Sequence, residues 1–301
     1  MRARPHAIRT PQRAIRTPQR AIRTPQRGVA IVLAMGVVAL AALAATAMMV
    51  SQSTWSRRVE LAAGHAQAQL LIQAGLDWAR AVLSDDRRAS NVDHPGEPWA
   101  LRLPPIPVEN GILAGRIEDE QGKFNLNNLP RGGKVNPAQL AHFRRLLSIL
   151  ALPPALAGAL AERIDADSRP LTDVAELALV RGFDDNVRAR LRPFVTALPR
   201  FTAVNANTAS PEVLAAVVEG LGLDDARAVV AQRERAYFRN FSDFFGQLPP
   251  GLIVPTENIS ASSDYFIATM RVTVGGAQAR GSALLARGNA GWPAIVWRKT
   301  P

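Results

Sequence analysis

The chain has 301 residues, 48% apolar and 20% charged, a globular balance with room for one or two domains and a sizeable core. Its formal charge of +11 suggests a polyanion binder, yet eight arginines lie within residues 1–28. Without them 28 basic side chains face 25 acidic ones, a net of +3, and neither a nucleic-acid surface nor, with no cysteine, a disulfide framework or thiolate metal site is supported.

Residues 1–28 repeat AIRTPQR at 7–13, 14–20 and 21–27. Seven is the heptad period, but Pro11, Pro18 and Pro25 exclude a coiled coil, so this segment reads as a disordered basic leader. It contains Arg2, Arg4, Arg9, Arg13, Arg16, Arg20, Arg23 and Arg27 and no acid, which puts this end on the cytoplasmic side of a membrane. The run VAIVLAMGVVALAALAATAMMV at 29–50 follows, with Thr46 its only polar side chain. As a helix it is roughly 33 Å long, enough for a bilayer core of about 30 Å. A secretory signal peptide has a shorter apolar core, about 7–15 residues, and a small-residue cleavage site after it. Here SQSTWSRR follows, and the glycine stands before the run. Cleavage after Gly28 would discard the leader and keep the helix. The order Arg27-Gly28-Val29 resembles the class III signal of type IV pilins and pseudopilins, in which prepilin peptidase cleaves after the glycine and methylates the new N-terminus, here Val29. A plain signal anchor with an incidental glycine is the alternative.

Beyond residue 50 the helical period continues. Leu61, Ala68, Ile72, Leu76, Ala79 and Leu83 form a stripe, with Arg57, Arg58, Glu60, Gln67, Gln69, Gln73 and Arg80 at the other positions. One helix over 29–84 is expected, slightly weakened by Gly64 and Gly75. Residues 85–110 read as a polar, proline-rich connection pinned to a core by Trp99 and Leu101. Ile112, Ala114, Arg116 and Ile117 predict a strand, 120–123 a turn, and Phe124 and Leu126 a second short strand. Glu118, Asp119 and Glu120 are either a cation site or, the preferred reading, a solvated turn. Short helices are expected at 136–150, 153–167, 172–183, 184–195, 210–223, 224–238 and 241–248, several with their own Asn, Asp, Thr or Ser cap. The period then switches to two over 265–274, Gly275-Gly276 makes a hairpin turn, 277–287 returns, and a final strand lies near 294–297. An antiparallel sheet covering the stripe of the first helix, interrupted by an all-α module, is the expected α+β architecture.

This arrangement resembles the K-type minor pseudopilin family of the bacterial type II secretion system. The resemblance is carried by Arg27-Gly28 with its apolar run, IEDEQGKFNLNNL at 117–129, LVRGF at 179–183, the 204–234 segment beginning VNANTASPEV, and SSDYFIATMRVTVGG at 262–276. It implies a pseudopilin fold divided into a leader (1–28), a transmembrane half-helix (29–50), a periplasmic half-helix (51–88), a first α+β part (89–129), an inserted helical domain (130–260) and C-terminal strands (261–301). It further implies a non-enzymatic subunit at the pseudopilus tip that initiates assembly. The implied partners are the I- and J-type minor pseudopilins, prepilin peptidase and the inner-membrane platform.

Most members of the wider group have glutamate at the fifth mature position, where it neutralises a neighbour's N-terminal amine; here that position is Leu33. The family's helical domain is associated with calcium, for which Asp165 and Asp167 are the candidates, although the acidic segment is short. The competing reading is a membrane-anchored DNA-binding protein of competence type, with Gly220-Leu221-Gly222 as a helix-hairpin-helix turn. Against it, Asp224 and Asp225 stand where phosphate would approach, and Glu234 balances Arg233 and Arg235. An enzyme is disfavoured: His6, His65, His94 and His142 are scattered, and neither a G-x-S-x-G nor a phosphate-loop motif occurs.

Overall fold

The computed structural model describes residues 26–167, 169–288 and 291–300, with side chains from Gly28 onward. The arginine repeat expected to be a disordered leader lies outside the described residues. The chain divides into two units, Met1–Arg58 and Val59–Pro301.

Helix α1 (Gln26–Ala89) carries the chain through both units. It is longer than expected at each end. Its last turn holds Arg87 and Arg88, which favour the negative end of the helix dipole. In the first unit every side chain from Gly28 to Arg58 is exposed, although those at 29–50 are almost all apolar. Thr46, the polar exception, donates its Oγ1 hydrogen to Ala42 O at 2.8 Å, so the helix satisfies it internally.

In the second unit five strands form one antiparallel sheet. β1 (Leu103–Val108), β2 (Gly111–Asp119), β3 (Tyr265–Val274), β4 (Ala277–Ala286) and β5 (Ala294–Lys299) lie side by side in that order. β2 and β3 pair from Gly111↔Val274 to Asp119↔Phe266, with the whole helical module between them in sequence. Gly275 and Gly276 turn β3 into β4 with φ of 52° and 81°, the left-handed pair that a two-residue hairpin requires.

The expected stripe is the buried one. Ala68, Ile72, Leu76, Ala79 and Leu83 pack on Phe266, Ala268, Met270, Val272 and Val274, alternate residues of β3, with Trp99 and Ile117 at the margin. Leu61, assigned to the same stripe, is 49% exposed. Close approach is bought with glycine. A Cβ at Gly75 would lie 2.9 Å from Met270 Sδ, and one at Gly281 would overlap Ile72 Cγ2.

Residues 103–108, expected to be connection, form β1. Pro104, Pro105 and Pro107 lack amide donors, and the strand survives because it is an edge, bonded to β2 alone, with a register break between Leu103 and Ile106. At the opposite edge β5 shifts register between its pairings to Leu284 and Leu285, leaving Val296 as an extra residue. Trp99 pins the connection as expected, but Leu101 is exposed.

The helical module comprises α2 (Pro137–Ile149), α3 (Leu156–Ala166), α4 (Asp185–Leu191), α5 (Pro211–Val217), α6 (Leu223–Arg235) and α7 (Phe241–Phe245). Asn136, Asp184, Ser210 and Asn240 accept first-turn amides as caps. The module has a separate core in which Phe143, Leu147, Leu160, Leu191, Leu214 and Phe244 are fully enclosed.

Two expectations in this region are corrected. The short helix expected at 172–183 is confined to Val174–Leu179 and is of the 3-10 kind, started by Asp173 and followed by Gly182 at φ 89°. Phe124–Asn125 pairs in parallel with Val195–Thr196 instead of returning along β2, and Leu126–Asn128 is a 3-10 turn, because Phe124 and Leu126 are buried in the module's core.

Candidate functional site

Gly28, Val29 and Leu33 lie in the first turns of α1, and all three are exposed. Among the described residues a Cβ at Gly28 would meet nothing within 4 Å, so none of them demands glycine there. The first turn carries no acidic residue, and Leu33 continues an uninterrupted apolar surface.

The 117–129 motif acts as a joint between sheet and module. Asn127 donates to Leu171 O and Leu198 O, both at 2.8 Å, and accepts from Leu171 N at 2.8 Å. Asn128 bonds both backbone groups of Thr202, at 2.8 and 3.0 Å, and Asn207 those of Phe238, both at 2.8 Å. Each buried amide thus satisfies a neighbour's N–H and C=O together, as a paired strand would. Asn125 adds bonds to Arg200 O and Leu198 N.

The acidic triplet within this motif is neither solvated nor a shared cation site. Glu118 alone is exposed and pairs with Arg116 at 2.7 Å. Asp119 accepts from Thr208 Oγ1 (2.5 Å), Ser263 Oγ (2.7 Å), Gln121 N (2.8 Å) and Asn205 Nδ2 (3.0 Å). Burial nevertheless pushes its pKa up to about 6. Glu120 is buried, accepts from Thr196 Oγ1 at 2.7 Å and pairs with Lys123.

A second polar centre had no sequence signal, because its acids stand among prolines and other polar residues that read as solvated. Asp86 and Asp93 are both ion-paired to Arg287, and Ser263 N donates to Asp93 at 2.8 Å. Glu97 adjoins them.

The calcium candidates lie elsewhere. Asp165 is exposed near the end of α3, while Asp167 accepts from the side chain and the backbone N–H of Arg169, each at 3.1 Å. Those hydrogen bonds hold the Asp167 carboxyl below its ordinary range. Among the described residues these two carboxylates, one already committed to a guanidinium, fall short of the six to eight oxygens calcium takes and do not fit the ion.

The helix-hairpin-helix turn is likewise occupied from within the chain. Gly220 has φ 84°, and Arg145 donates to Val218 O (3.1 Å) and Leu221 O (2.6 Å). Asp224 pairs with Arg227 in the first turn of α6. Arg233 turns inward to Ala206 O and Ala209 O, and burial pushes its pKa down to about 10. Among the described residues, Arg145 and Arg233 are thus engaged by backbone carbonyls and Arg227 by Asp224.

A family model described as type II secretion system protein K matches residues 122–200, and a second with the same description matches 204–261, so both fall on the joint and the helical module. A type II secretion system protein K from Pseudomonas aeruginosa is 33% identical over 285 residues, covering 82% of this chain and 85% of its own. The protein of the same name from Klebsiella pneumoniae is 28% identical, covering 86% and 91%. The fold is similar to that of a chain in the crystal structure of the GspK-GspI-GspJ complex from enterotoxigenic Escherichia coli. The TM-score is 0.70 at 24% identity, over 81% of this chain and 99% of that one.

Proposed function

The chain belongs to the type II secretion system protein K family, and from that premise we propose that it is a non-enzymatic minor pseudopilin at the tip of the pseudopilus, where it initiates assembly with I- and J-type partners for export of folded proteins. The observation that carries this reading is α1. One half is an apolar, fully exposed helix suited to a membrane, and within the second unit the other half is the spine on which a closed α+β body is built. In this reading prepilin peptidase cuts between Gly28 and Val29, Val29 is methylated, and the mature helix stays in the inner membrane with the body in the periplasm. The inner-membrane platform then receives it.

Two features support a terminal place. Leu33 offers no carboxylate to a neighbour's N-terminal amine, and an unpaired acid there would be costly in lipid. The helical module is a bulky insertion in the sheet, unsuited to repeated packing along a filament. Among the described residues, Arg145 and Arg233 are engaged by backbone carbonyls, which argues against the DNA-binding alternative.

Gly28→Trp tests the proposal. Mass spectrometry of the membrane-extracted protein should find the leader retained and Val29 unmethylated, and a strain carrying only this variant should lose export. Normal processing of the variant, or normal export with the leader attached, overturns it.

A further inference from the structure

Asp86 lies in the last turn of α1, Asp93 and Glu97 in the segment after it, and Arg287 directly after β4. Their exposures are 8%, 0%, 7% and 3%, so all four are out of water. One carboxylate oxygen from each acid lies within 4.8 Å of the others. Arg287 places Nη1 2.7 Å from Asp86, and Nη2 2.5 Å from Asp93 and 2.7 Å from Ser263 O. Its guanidinium sits 4.7 Å over the Phe266 ring, and its buried Nε has no acceptor among the described residues. Glu97 takes neutral donors instead, Trp99 Nε1 at 2.8 Å and His94 N at 2.9 Å.

Arg87, beside Asp86 on α1, is itself engaged. On α1, Asp85 and Arg88 pair with each other at the surface. Asp119 at the end of β2 adds negative charge through Ser263, whose N–H goes to Asp93 and whose Oγ–H goes to Asp119. Asp264 precedes β3, and its carbonyl accepts from Arg287 N. The His94 ring is stacked on Tyr237, 3.9 Å away. Three carboxylates facing one guanidinium would carry two excess negative charges if all were ionised. A dry interior does not tolerate that.

We infer that Asp86, Asp93, Glu97 and Arg287 form a proton-operated clasp between the end of α1 and the end of β4, which closes on taking up a proton as the medium acidifies through the range just below neutrality. The proton goes to Asp86. Burial first, and then the neighbouring Glu97 charge, push its pKa up to about 6. Burial also pushes Asp93 up, but the Arg287 charge opposes that and keeps its ion pair. A carboxyl whose folded pKa lies above its unfolded value of 3.8 is bound to more protons when folded. The clasp therefore tightens as pH falls through 6 and gains nothing further below about 4. An ordinary salt bridge, whose carboxyl pKa folding lowers, gains nothing over that interval and weakens as pH falls below about 4, so a gain between 6 and 4 is diagnostic.

The test uses the full-length chain in detergent micelles. Infrared spectra in heavy water, taken in an Asp119→Asn background so that the other carboxyl raised to about 6 is silent, should show a protonated carboxyl band that titrates near 6 and is missing once Asp86→Asn is added. Hydrogen exchange at residues 84–97, corrected for intrinsic rate, should lose at least about tenfold of its protection between pH 5 and 8 in the wild type. Asp86→Asn should remove that pH dependence in the Asp119→Asn background, where only the cluster titrates in this range. Glu97→Gln keeps an acceptor for Trp99 and His94 N, so it guards against a misfolded Asp86→Asn; it should move the titration to lower pH. A flat exchange profile in the wild type, or a titration unmoved in Glu97→Gln, overturns the inference.

Discussion

Asn127, Asn128 and Asn207 show how far a single side chain can stand in for secondary structure, each serving both backbone groups of a residue far away in sequence. Their places in NLNNL and VNAN were legible as a motif but not as an interior. Asparagine and aspartate in a turn-like stretch read as solvated, and only the third dimension supplies the partners. Asp119 carries the same lesson and a prediction. Its pKa, raised to about 6 by burial, means that the folded chain binds more protons than the unfolded one between pH 4 and 6. Stability should therefore rise as pH falls from 7.5 to 5, by about 1 kcal/mol from this group. Asp119→Asn should show a smaller rise in urea denaturation of the detergent-solubilised chain. An equal rise in the variant would assign the effect elsewhere.

At the scale of elements, the 3.6-residue period of α1 and the alternation of β3 were both readable, because each buries a single face against the other. Leu76 stands on that face at zero exposure. Leu76→Ala should cost about 2–5 kcal/mol in denaturant unfolding. Gly281→Val should cost about 1–3 kcal/mol by the opposite route, pressing a side chain into Ile72. If Gly281→Val proved neutral, the sheet would not approach the helix as closely as described. β1 was not readable, since three prolines in six residues argue against a strand unless its edge position is known. The helix expected at 172–183 is present, but its 3-10 form in Val174–Leu179 was not readable, because its apolar spacing suits either kind of helix and a single capped run of six residues does not discriminate between them.

For the molecule as a whole, the α+β class and the order sheet, helices, sheet followed from the change of period along the chain. The pairing of β2 with β3 across the module followed only from the need to close the sheet over α1. The resulting sheet has two rims, and neither invites another strand. Pro104, Pro105 and Pro107 remove donors from one. The displaced Val296, with Arg298 and Lys299 beyond it, disrupts the other. Pro105→Val with Pro107→Val should increase concentration-dependent light scattering of the solubilised chain, while the wild type stays flat. A molecule whose flanks are sealed in this way does not grow sideways by ladder extension. Whatever higher-order order it joins must be reached through side-chain surfaces, which keeps a subunit built around a β-sheet from seeding the cross-β deposits that an unguarded sheet would template.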